Sequence, residues 1–395
     1  MSPEQAKASS ASVTTLPNGL TVVTEDACTT STVTMTYPKG GSGSEMLGEQ
    51  GAALINKCLA FNSGSGLSTV LINRSIENEG ATPFADADRN AATVGYTVEP
   101  DNAVGLVPLL ATDCTFEKWD VRDAKKLASY QTAEANKSAQ IVLTEQIYSG
   151  AYGASSAMGR PFYCADASPA EIVDFRGRGY GLNGAILTAT GIKDHSAFCT
   201  EVEDLLKESP AGDAEPAPSA AYLGGEGRVS APSAGCAHVA LAFEAKASNA
   251  MRNVLKHCLT LIGEEAGVTG FETTGLLGVY AGAASEGVGA LDAALTNTMS
   301  TAASPDIVNR AKVLAKAEAM FGMDSGSKGL AAAMTASVME SGSFTNAGDV
   351  AAAYDAISEK DVASAMATIL KSNPSVAAVG DIGVVPYQGT FASRF

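Results

Sequence analysis

The sequence predicts an α+β protein built from two similar halves, and three observations carry that prediction. Short runs rich in β-branched residues recur with apolar–polar alternation, and between them lie stretches whose apolar residues follow a helical period. Near the middle the composition changes: Lys207–Gly227 (KESPAGDAEPAPSAAYLGGEG) sets Pro210, Pro216 and Pro218 among Ala, Gly and Ser. On both sides of this stretch the order is strands, helices, then a closing strand, over similar lengths. The expected organisation is a first domain at 1–206, a linker at 207–227 and a second domain at 228–395.

Taken in order, Leu16-Pro17-Asn18-Gly19-Leu20 places an Asn-Gly turn before a strand at Leu20–Thr24. A second β-rich run, Thr32–Tyr37, follows a polar connection, and the two strands are expected to pair. A glycine-rich turn then leads into Gly51–Asn62, where Leu54, Ile55, Cys58 and Leu59 recur at helical spacing before Gly64 and Gly66 end the segment. Ser68–Gly80 suits another helix, with Val70, Leu71, Ile72 and Ile76 as its apolar residues. Ala92–Glu99 alternates like a half-buried strand, and 102–151 follows a helical pattern that includes Trp119. Ile186–Gly191 reads as a buried strand. In the second half, His238–Glu244 and Leu276–Gly282 read as strands, and a helix starts at Ser304-Pro305 and runs to about Phe321. Ser358 caps a later helix that is stopped before Pro374, and Ser375–Asp381 is the closing strand.

Composition removes several function classes. With 395 residues the chain can bury two or three sizeable cores. Forty-three acidic against 26 basic residues give a net charge of −17, which argues against nucleic acid and against docking on anionic lipid through a basic patch. The seven cysteines fall singly, with no C-x-x-C, so a reduced compartment with free thiols is expected. No apolar run approaches the ~20 residues that span a bilayer. The opening MSPEQAKASSASVTTL lacks Arg and matches an amphipathic transit peptide poorly. Gly40–Gly43 is not followed by Gly-Lys-Ser/Thr and fails the phosphate-loop pattern. Arg176-Gly177-Arg178-Gly179 reads as a polar turn. His257 beside Cys258 on a helix would point about 100° away from it, poor geometry for one metal.

The layout of Tyr37–Gly66 resembles the zinc-binding segment of the mitochondrial processing peptidase family. There a G-S-R-x-E-like turn precedes a helix carrying H-x-x-E-H, which closes in a Phe-Lys-Gly-Thr-like bend. Here Gly41-Ser42-Gly43-Ser44-Glu45 and Phe61-Asn62-Ser63-Gly64 fill the flanks. The resemblance puts Leu54, Lys57 and Cys58 at the three motif positions, and Glu134 about where the family's distal glutamate ligand falls. H-x-x-E-H works because imidazoles at i and i+4 share one helix face and clamp zinc, while the Glu is general base for the metal-bound water. Leu54 has no lone pair to give, Lys57 brings a positive charge where a base is needed, and one Cys58 thiolate does not hold a catalytic zinc. Cys58 otherwise reads as a small buried hydrophobe and Glu134 as part of a solvated helix face. His195, His238 and His257 are the only histidines and include no i,i+4 pair. No catalytic residue, metal or cofactor is therefore expected.

Further stretches are similar to the same family in the same order: LPNGLTVV (16–23), ADRNAATVGYTVEPDN, GGEGRVSAPSAGCAHVALAFEA (224–245), LLGVYAG (276–282), VNRAKVLAKAEAMFGMDS (308–325) and AISEKDVASAMATILKSNPSVAAVGDI (356–382). SGAYGASSAMGRPFYCADASPAEIVDF (149–175) and GIKDHSAF (191–198) resemble the core protein 2 branch of the family, subunits of mitochondrial respiratory complex III. The fold this implies is two homologous α+β domains, each a β-sheet with helices packed on one side, facing each other across a cavity. The implied role is structural, peripheral on the matrix side of the inner membrane. The implied partners are a core protein 1-like subunit, cytochrome b, cytochrome c1 and the Rieske protein. The alternative within the family is the non-catalytic, substrate-recognising α subunit of the processing peptidase. Against it stands LIGEEAGVTGFE, which has too little glycine to be that subunit's long glycine-rich loop.

Overall fold

The computed structural model describes residues 11–64, 66–111, 113, 115–209, 211–212 and 220–395. Six strands form a first sheet: β1 (Ala11–Thr15), β2 (Thr21–Glu25), β3 (Ser31–Tyr37), β4 (Thr82–Ala87), β5 (Ala92–Val98) and β6 (Ile186–Ala189), in the order β1-β2-β6-β3-β5-β4. Five more form a second: β7 (Glu226–Ser230), β8 (Cys236–Glu244), β9 (Thr269–Thr273), β10 (Leu276–Ala284) and β11 (Ser375–Gly380), in the order β7-β11-β8-β10-β9.

The two sheets share one topology. In the first, β6 runs parallel to β2 and antiparallel to β3, and β5 continues antiparallel from β3 to β4. In the second, β11 runs parallel to β7 and antiparallel to β8, and β10 continues antiparallel from β8 to β9. Strand for strand the arrangement repeats, with β1 as an addition. The fold is a duplicated α+β unit.

The strands before and after the polar connection 26–30 do not pair with each other, because β6 lies between β2 and β3. Passing over one strand requires a span of about 10 Å, which a five-residue connection reaches without strain. All four β6 residues are buried, which is what a central position demands of ILTA. The helical pattern expected over 102–151 is also interrupted. Pro100–Asn102 and Val107–Ala111 are 3₁₀ turns, and the α-helices are Lys118–Ala135 and Ala139–Tyr152. Pro108 lacks the N–H that a continuous helix would use.

Both faces of each sheet are covered. On the first sheet, Val22, Val33, Met35 and Leu187 join Leu54, Ile55, Ile72 and Phe175 in one core. The alternate residues Val23 and Ile186 pack with Met334 and Val338 of the Ser327–Ser341 helix. On the second sheet, Val239, Leu241, Phe243 and Val376 pack with Val254 and Leu255 of the Asn249–Gly263 helix. Ala240, Ala242 and Ala377, on the opposite face, pack with Leu143, Ile147 and Ala151 of the Ala139–Tyr152 helix. Small alanines on that face let a helix lie close over the strands.

The chain accordingly divides into two compact units that interleave along the sequence. The first comprises the residues up to Tyr130, 162–212 and Phe321–Ala347; the second comprises Gln131–Pro161, 220–320 and Gly348–Phe395. Within the stretch 207–227, residues 210 and 213–219 lie outside the described residues, and β7 already begins at Glu226.

Candidate functional site

The glycine-rich turn and the helix after it form a tightly anchored corner of the first unit. Ser42 and Gly43 donate their backbone N–H groups to the carbonyls of Asp88 and Arg89, which fastens the turn to the β4–β5 connection. The helix Ala52–Cys58 begins at Gly51, whose φ of 85° is left-handed. A Cβ there would sit 2.2 Å from the Cys164 carbonyl oxygen, so only glycine fits. With no side chain to cap the helix, Glu45 does so from a distance. Its carboxylate, 3% exposed, accepts from the N–H of Ala53 at 2.9 Å and of Gly51 at 3.3 Å. A second buried carboxylate, Glu49, is held by the Arg178 guanidinium at 2.6 Å. At the far end, Phe61 has φ 60°, and Asn62 donates from Nδ2 to the Cys58 carbonyl, closing the bend.

Leu54 is fully buried in the apolar core. Lys57 leans out to the β4 carboxylate of Asp86, with Nζ 2.8 Å from Oδ1. Cys58 packs against the core edge, and burial raises its thiol above the ordinary range, with Lys57 pulling slightly the other way. Glu134 sits on the last turn of the Lys118–Ala135 helix, in the second unit, exposed and 2.7 Å from Lys137. The structure thus brings Leu54, Lys57 and Cys58 onto one helix and leaves Glu134 in a local surface pair.

These side chains do not fit a zinc ion. One is hydrocarbon, one is an ammonium already paired, and one is a thiol that burial keeps protonated. The histidines are engaged elsewhere. His195 bridges the hydroxyls of Thr14 and Thr24, each at 2.8 Å, and His257 meets Glu318 at 2.8 Å. His238 meets the Tyr280 hydroxyl at 2.7 Å. Among the described residues, no three His, Cys, Asp or Glu side chains gather as a metal would require.

Two features escaped the sequence reading. One is a cavity of 340 Å³ in the second unit, between the Ala139–Tyr152 helix and the sheet, with Leu143, Ile147, Ala240, Phe271 and Tyr280 in its wall. The other is the grouping of Cys236, His238 and Tyr280. Its local signal was C-x-H at the start of an alternating strand, since residues i and i+2 share a face.

The family model described as Insulinase (Peptidase family M16) matches residues 21–166, which include the whole glycine-rich turn and helix. A chain of complex III2 from Candida albicans superposes with a TM-score of 0.82 at 19% identity, covering 98% of this chain and 99% of that one. This is an M16 peptidase-like fold. In sequence, the α subunit of the mitochondrial-processing peptidase of Solanum tuberosum is 25% identical over an alignment covering 100% of this chain and 86% of that protein. The α-2 subunit of Dictyostelium discoideum is 26% identical, over 61% of this chain and 56% of that protein. The turn and helix around Gly51 lie within the residues matched by that family model, and the helix carries Leu54, Lys57 and Cys58.

Proposed function

We propose that this chain is a non-catalytic core subunit of mitochondrial complex III, of the core protein 2 type, which pairs with a core 1-like subunit and supports the complex on the matrix side of the inner membrane. In this reading Leu54, Lys57, Cys58 and Glu134 are the remains of a lost zinc motif, and the corner that once held the metal survives as architecture. The observation that carries the proposal is the near end-to-end match in fold to a chain of complex III2, joined to a helix that offers neither imidazole nor carboxylate at the motif positions. No helix among the described residues is long and apolar enough to cross a membrane, so attachment would come through cytochrome b, cytochrome c1 and the Rieske protein.

A second reading, the substrate-recognising α subunit of the processing peptidase, is favoured by the sequence relatives. Against it stands the connection after the Asn249–Gly263 helix. It closes in the single 3₁₀ turn Glu264–Ala266 with Gly267 at φ 67°, and β9 starts at Thr269. That connection leaves no room for a long glycine-rich loop.

Native separation of gently detergent-solubilised mitochondria, with this chain followed beside haem absorbance, tests the choice. Co-migration with b- and c-type haem in a large membrane complex is expected. Recovery in a soluble, haem-free heterodimer with a zinc-binding partner would establish the second reading instead.

A further inference from the structure

We propose that Cys236 is a thiol-modification site, activated by His238, that forms mixed disulfides with low-molecular-weight disulfides. The inference holds whichever assembly the chain joins. Cys236 and His238 open β8 two residues apart, so both side chains stand on one face of the sheet. The half-buried Cys236 Sγ lies 3.8 Å from His238 Nε2. The other ring nitrogen, Nδ1, is 2.7 Å from the Tyr280 hydroxyl, and the two rings are parallel within 4°. Nucleophile, base and orienting group thus stand in sequence.

The sheet builds this arrangement with a glycine. Gly282 on β10 faces His238 in register, and a Cβ there would sit 2.8 Å from Nδ1. The missing side chain leaves the space through which the imidazole reaches Tyr280. When Nδ1–H donates to the phenolic oxygen, Nε2 keeps its lone pair toward the sulfur, ready to take the thiol proton.

The other described cysteines lack this environment. Burial pushes Cys28, Cys164 and Cys258 up to about 11, with Glu25 adding to the effect at Cys28 and Asp166 at Cys164. Burial also raises Cys58 and Cys199. Cys199 does have an imidazole within 3.5 Å, but both nitrogens of that ring are occupied by Thr14 and Thr24.

The step balances as thiol–disulfide exchange. The Cys236 S–H proton moves to Nε2, and the thiolate attacks one sulfur of the small disulfide. The new S–S bond forms as the old one breaks, and the departing thiolate takes the proton from the imidazolium and leaves as a thiol. Cys236 is oxidised to the mixed disulfide, and half of the small disulfide is reduced.

The test uses the full chain, folded, with oxidised glutathione and separately with iodoacetamide, read by intact mass and peptide mapping. Cys236 should react about tenfold faster than Cys28 or Cys164. His238→Gln should slow it by about tenfold, and Tyr280→Phe should slow it with the thermal midpoint retained. Comparing folded with denaturant-unfolded parent keeps the test independent of the variants, since activation requires Cys236 to react faster in the folded chain. Modification centred on another cysteine, an unchanged rate in folded His238→Gln, or a Cys236 that reacts no faster folded than unfolded overturns the proposal.

Discussion

The Glu45 carboxylate accepts a hydrogen bond from the Ala53 backbone N–H at 2.9 Å across eight positions of sequence, and so caps a helix that has no side-chain cap of its own. Because the carboxylate is buried, the bond is shielded from competition by water. Glu45→Ala should lower stability by about 2 kcal/mol, measured as a shift in the urea midpoint at unchanged slope. A shift within error would show that the turn holds the helix unaided.

Leu54 is core, so placing an imidazole there, where the family resemblance puts the first motif histidine, should cost stability before it offers chemistry. Leu54→His removes a fully buried hydrocarbon and buries a polar ring, with an expected loss of about 3 kcal/mol or more. Thermal unfolding of the single variant checks this. A Leu54→His, Lys57→Glu, Cys58→His triple variant should be less stable than the parent, and a triple variant at parental stability would sink the reading of Leu54 as structural.

His195 ties β1 to β2 through Thr14 and Thr24. Burial holds its pKa below the ordinary imidazole value, with Asp194 opposing. A group depressed in the folded state is held neutral there, so its contribution is present above pH 6.5 and is lost as pH falls through the lower, folded value. Parent stability should therefore decline below about pH 6.5 more steeply than that of His195→Asn. Parallel slopes from thermal unfolding at several pH values would rule this out.

The Ala139–Tyr152 helix precedes the Pro- and Ala-rich stretch in sequence yet covers Ala240, Ala242, Leu276 and Ala377 of the second sheet. Residues 228–395 expressed alone should expose that alanine face and accumulate as insoluble protein. Co-expression with a segment containing 131–161 should restore soluble material, read by yield and circular dichroism. Soluble, cooperatively unfolding 228–395 would contradict the interleaved units.

Much of this protein was written locally in its sequence. Strand alternation at Ala92–Val98, the Ser358 cap with its reciprocal Asp361, and the glycines around the Ala52–Cys58 helix are signals that span a few residues. The same kind of signal at Ser168 and Glu171, a capping box opening the helix Pro169–Gly179, was present and passed over. What the side chains at 54, 57 and 58 can do was also legible, because identity alone denies a lone pair to Leu and a basic carboxylate to Lys.

Tertiary structure alone decided the partners. Nothing near residues 186–189 states that β6 enters between β2 and β3, nor that 139–152 and 327–341 cover second faces of the two sheets. Local periodicity names a buried face without naming what buries it, and the entropy of closing a loop grows only slowly with its length, so distant segments compete almost equally with near ones. The meeting of Cys236, His238 and Tyr280 belongs to the same class, since the register of β8 against β10 brings the tyrosine to the histidine.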